Sequence, residues 1–179
     1  GLALARSQFQ QATNMTDMSA ALTSLVNSAV ATREGAADDA LDQFYKKWRS
    51  ESLAVDLWLQ IQACCALPGG LDRIKDLMNH EAFNIRNPNR VRALIGAFCS
   101  NNAINFHRED GAGYVFLAEV ILELDQLNPQ IAARLVTPLT KWRRFPSNYS
   151  EMMRAQLTHL VSQPALSKDV YEIVSKSLA

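Results

Sequence analysis

Apolar side chains recur every three or four positions along most of this chain, the spacing of one face of an α-helix. Thr16-Asp17-Met18-Ser19 opens one predicted helix, whose stripe is Leu22, Leu25, Val26 and Ala29. Ala36 to Arg49 carries Ala40, Leu41, Phe44, Tyr45 and Trp48, and Leu53 to Leu67 repeats the period with Leu57, Trp58, Ile61 and Cys65. Pro68-Gly69-Gly70 then breaks the chain. A shorter helix follows over Leu71 to Asn79, through Ile74, Leu77 and Met78.

The second half carries capping signals. Asn87-Pro88 and Asn128-Pro129 each join an N-cap side chain, which accepts from unpaired amides, to a proline at the first helical position, where its missing N–H loses no bond. Val91, Leu94, Ile95 and Phe98 follow the first start, and Ile131, Leu135 and Leu139 the second. Asp110, Ser147 and Ser167 are candidate caps for three more helices. The helix begun at Asn128 is expected to end at Lys141-Trp142-Arg143-Arg144, whose cations suit a negative dipole end. The two Asn-Pro starts stand 41 positions apart, close to the ~40-residue period of HEAT-type repeats. No alternating strand of useful length occurs. The predicted fold is all-α, with stacked antiparallel helical hairpins in a HEAT/armadillo-like superhelical array.

Composition narrows the function classes. Eighteen basic and eighteen acidic residues leave no net charge, which argues against the electrostatic footprint of a nucleic-acid-binding domain. No apolar run approaches the roughly 18 residues that span a bilayer, and Leu2 to Gln11 is too polar for a signal peptide. No nucleic-acid or membrane partner is therefore expected. The chain opens on Gly1 rather than methionine, which suggests a piece of a longer protein. Three cysteines, two of them adjacent, suit buried thiols in a reducing, cytoplasmic setting.

Few residues of the chain stand in a pattern that carries chemistry. A zinc peptidase motif needs two histidines one helical turn apart with a glutamate beside the first. His80-Glu81 begins that way, but Asn84 stands where the second histidine belongs. His107 and His159 have no ligand partner at metal spacing, and no nucleophile elbow accompanies any serine. Gly111-Ala112-Gly113 reads as a tight helix entry where backbone comes close. Arg90 and Arg92 are less ordinary, because cations in the first turns of a helix oppose its dipole. They call for a carboxylate from another helix or a bound anion. Arg134, six positions after Asn128, is the counterpart of Arg92 in the second copy. On stacked hairpins the two could face one concave surface and grip a peptide carboxylate.

Several blocks together carry a resemblance. They are Asn87-Pro-Asn-Arg-Val-Arg-Ala-Leu-Ile-Gly-Ala-Phe98, Phe106-His-Arg-Glu-Asp-Gly-Ala-Gly-Tyr-Val-Phe-Leu117 and Leu127-Asn-Pro-Gln-Ile-Ala-Ala-Arg-Leu135. With Gln11 to Asp17 and Tyr171 to Ala179, they resemble in collinear order the C-terminal part of the bacterial aminopeptidase N family of zinc gluzincin metallopeptidases. The resemblance implies that residues 1–179 are the last part of a helical C-terminal domain, with the catalytic domain absent. It implies a parent enzyme that removes N-terminal residues from peptides. Its zinc would sit in a His-Glu-x-x-His motif and its amine-reading loop would be Gly-x-Met-Glu-Asn, both upstream and neither present here. This fragment alone is then expected to be inactive and to hold no cofactor of its own. It would serve as wall and gate of the substrate cavity, with the upstream catalytic domain and the peptide substrate as partners. Arg92 and Arg134 are the expected substrate-binding residues on that wall. The alternative is a free-standing helical-repeat adaptor that binds a protein or peptide on its concave face.

Overall fold

A computed structural model describes all 179 residues, and every regular element in it is helical. The chain divides into two compact units. The first is Gly1–Asn84 with Asn89–Asn102, and the second is Ile85–Pro88 with Ala103–Ala179.

The first unit begins with α1 (Leu2–Gln11) and α2 (Met15–Val26), which pack on each other. Asn14, not the Thr16 segment, caps α2, its side chain accepting from the Asp17 amide at 2.9 Å. A short α3 (Ala29–Arg33), capped by Ser28, leads through left-handed Gly35 into α4 (Ala36–Trp48). Next, α5 (Ser52–Ala63) packs on α2, α4 and α6 (Gly70–Met78). Seven of its twelve residues are buried, including Trp58, Leu59 and Gln62. Burial on so many sides is what makes α5 the axis of this unit, each large apolar side chain contributing about 1.5–3 kcal/mol.

The sequence placed the end of α5 at Leu67, but the helix stops at Ala63. Asn102, itself buried, donates its side-chain amide to the carbonyls of Ala63 and Cys65, which satisfies the end carbonyls without another turn. The helix expected after Asn87 exists, but it changes pitch twice. It runs as α7 (Pro88–Val91), a π segment (Arg92–Gly96) and α8 (Ala97–Asn101). The π segment and α8 both pack on α5.

In the second unit, α9 (Ala103–Phe106) precedes α10 (Ala112–Asp125), whose nine buried residues include Tyr114, Phe116 and Leu117. Helix α10 packs on α9, on α11 (Pro129–Leu135) and on α13 (Ser147–Val161). Between these lie α12 (Thr137–Thr140) and a 3₁₀ turn (Trp142–Arg144), and α14 (Lys168–Leu178) closes the chain against α11 and α13.

Asn128 caps α11 as expected, accepting from the Ile131 amide. The continuous helix to Arg144 does not form. Pro138 cannot donate back to Arg134, so the helix breaks and restarts. The basic cluster consequently forms the 3₁₀ turn itself and serves another helix end. Trp142 and Arg143 both donate to the carbonyl of Ser177 near the end of α14. Among the expected caps, Ser167 accepts from Val170 as anticipated. Ser147 is instead the first helical residue after Pro146, and Asp110 bonds the Ala112 amide from one place before the N-cap, Gly111.

The two glycines of Gly111-Ala112-Gly113 have separate reasons. Gly111 has φ +70°, a left-handed backbone that disfavours a side chain. At Gly113 a Cβ would stand 2.1 Å from the carbonyl oxygen of Phe106, so only hydrogen lets α10 pass that close to α9. The expected close approach of backbone is real.

Candidate functional site

The Arg90 and Arg92 pair resolves into two different devices. Arg90 is turned inward. Its guanidinium pairs with Asp56 on α5 and donates to the carbonyls of Ala82 at 3.1 Å and Ser52 at 3.0 Å. The ion-paired side chains are only 12% and 15% exposed. That is the carboxylate from another helix that the dipole argument required.

Arg92 is turned outward. From Val91 to Cys99 it is the single exposed residue, flanked by buried Val91, Ala93, Leu94 and Ile95. It forms no salt bridge, and its guanidinium donates to one neutral acceptor, the Asn89 side chain, at 3.2 Å. Its carbonyl accepts from the Ala97 amide five residues on, so the wide π turn begins at this residue. Such turns insert one residue into a helix and recur at functional positions.

Arg134 repeats the pattern in the second unit. It is exposed in the last turn of α11 while Ala132, Ala133, Leu135 and Val136 around it are buried. No carboxylate pairs with it. The cation suits the C-terminal dipole there, which leaves its fork available to an outside acceptor. Each unit thus presents one arginine from an otherwise buried stretch.

The histidines are structural by comparison. His80 Nδ1 accepts from the Ala82 amide, and its ring lies 5.1 Å from both Tyr45 and Trp58. Tyr45 donates to Glu81, and burial together with that carboxylate raises its pKa. The nearby acids are engaged, Asp38 with Arg73 and Asp42 with Lys46. His107 shares a 2.7 Å hydrogen bond with the hydroxyl of fully buried Tyr114 and lies 4.5 Å from the Phe145 ring. Burial lowers the His107 pKa and pushes that of Tyr114 up to about 12. No group of three His, Cys, Asp or Glu side chains is disposed to hold a metal ion. The cysteines form no disulfide, and burial raises the thiol pKa of Cys64 and Cys99.

Sequence reasoning found both exposed arginines but missed the π turn, for which no residue pattern is diagnostic. Asp56 was also missed, 34 positions from the cation it neutralises. Its only signal was a lone acid in an apolar helix.

Residues 1–179 match the family model described as a domain of unknown function (DUF3458_C), ARM repeats. The chain is 40% identical over 176 residues to aminopeptidase N of Escherichia coli (strain K12), covering 98% of this chain and 20% of that protein. It is 44% identical over 170 residues to aminopeptidase N of Caulobacter vibrioides, covering 95% of this chain and 19% of the relative. The crystal structure of Legionella pneumophila aminopeptidase A in complex with aspartic acid superimposes with a TM-score of 0.92 at 36% identity, over 99% of this chain and 20% of that one. This chain spans about a fifth of the length of the proteins it matches.

Proposed function

This chain belongs to the DUF3458_C ARM-repeat family, and from that premise we propose that it is the non-catalytic C-terminal domain of a cytoplasmic zinc aminopeptidase that removes N-terminal residues from peptides. The observation that carries the reading is the match of nearly the whole chain to a fifth of aminopeptidase N. In this reading the domain is the wall and gate of a substrate cavity, and its partners are the catalytic domain of the same polypeptide and the peptide.

The residues present do not fit the zinc such an enzyme uses. His80-Glu81 is followed by Asn84 rather than a second histidine, and His80 Nδ1 is spent on a backbone amide. Zinc chemistry is therefore assigned to the rest of the polypeptide, and no step is routed through this chain. Its own residues bind and orient. Arg92 and Arg134 each offer a fork of donors that matches a carboxylate or peptide carbonyls, toward the C-terminal part of a bound peptide. Contacts made equally to substrate and transition state change KM rather than kcat.

The test uses the full-length enzyme with Arg92→Ala and Arg134→Ala, singly and together. Each should raise KM for a tetrapeptide more than KM for a one-residue arylamide. Equal effects on the two substrates refute the peptide-wall role. Mixing this chain with the separately made upstream portion tests the partnership, with co-elution as one particle expected.

A further inference from the structure

We infer that the buried Arg90–Asp56 pair is a positioning device for Arg92, setting the direction in which that guanidinium leaves the helix. The inference rests on the reading of Arg92 as a substrate contact. Arg90 gathers three pieces of the first unit around one guanidinium: the Ala82 loop, the first residue of α5 at Ser52, and Asp56 one turn further along α5.

Residues two apart on a helix point about 200° from each other. Seating Arg90 against α5 therefore turns Arg92 to the opposite side, as its exposure records. The tip of Arg92 has only Asn89, on its own helix, to hold it. Its direction then depends on how the backbone at 90–92 is rotated, and Arg90 fixes that rotation immediately before the helix widens at Arg92.

The choice of residues supports the same role. Burying an ion pair costs desolvation that apolar side chains of like volume would avoid, so such a pair is weak support for stability. What the pair and its two carbonyl bonds supply is a defined rotation, since a forked donor tolerates less displacement than a hydrophobic contact.

The test uses the full-length enzyme carrying Asp56→Asn, Arg90→Lys, Asp56→Glu, Arg92→Ala, and Asp56→Asn with Arg92→Ala. The readout is the ratio of tetrapeptide KM to arylamide KM, with thermal melting measured alongside. Asp56→Asn and Arg90→Lys should raise the ratio about tenfold, Asp56→Glu should restore most of it, and the double variant should match Arg92→Ala alone. Arg90→Lys keeps the charge but loses the fork, so it carries the comparison should Asp56→Asn fail to fold. Variants that melt lower yet keep the wild-type ratio, while Arg92→Ala raises it, overturn the positioning role and leave Arg92 as a contact. No change in the ratio on Arg92→Ala overturns the underlying reading and this inference together.

Discussion

Asp125, buried at the end of α10, accepts both the backbone N–H and the hydroxyl of Ser167, whose own oxygen caps α14. One carboxyl group thereby ties the end of one helix to the start of another 42 positions later. Replacing Asp125 by alanine removes two hydrogen bonds to a buried acid, and should lower the unfolding free energy by about 3 kcal/mol. Glu172→Ala, which removes an exposed pair with Lys176, should cost under about 0.5 kcal/mol. Urea titrations of the three proteins check the contrast.

Gly113→Ala and Gly35→Ala separate two reasons for glycine. At Gly35 a methyl meets nothing within 4 Å, and the cost is that of φ +77°, about 1 kcal/mol. At Gly113 the methyl meets backbone, which cannot swing aside, and about 3 kcal/mol is expected. Denaturation midpoints in the order wild type, Gly35→Ala, Gly113→Ala are the outcome sought.

Burial depresses the pKa of His107 in the folded state below the 6.5 of a free imidazole. Above that pH the ring is neutral whether the chain is folded or not, and its packing contributes in full. As pH falls through 6.5 the unfolded chain takes up the proton first, so stability declines, by up to about 1.4 kcal/mol per pH unit, until the folded ring protonates as well. A His107→Asn protein should lack this component. Urea midpoints between pH 5 and pH 8 for both proteins measure it.

Thiol reactivity should follow burial. Cys99 is 4% exposed and its thiol is pushed far up, while Cys64 is only half-buried. A thiol-specific reagent at neutral pH should label Cys64 slowly and Cys99 only after unfolding, as peptide mass mapping would register. Equal labelling of the two in the native protein contradicts the packing described here.

Local chemistry made part of this molecule legible. Asn128-Pro129 and Ser167 announced their helices because a cap acts within three residues. The Gly111-Ala112-Gly113 entry was readable because close backbone approach is the common use of such glycines. Pro138 carried a breaking signal that the apolar stripe through Leu139 concealed. The end of α5 was not legible, since Asn102, which terminates it, lies far along the chain. Arg90 and Arg92 looked alike in sequence and differ in the fold, because only tertiary packing gives one of them Asp56.

A regular helix offers packing every residue on its buried face, and a π turn holds one residue more than an α turn. The segment from Val91 to Cys99 therefore carries one residue more than an ordinary helix of the same rise. Shortening it by one residue should restore an ordinary helix with both buried flanks kept in register. Arg92 opens this turn and is the one exposed side chain from Val91 to Cys99, so deleting it is the shortening that spares every buried residue of the segment.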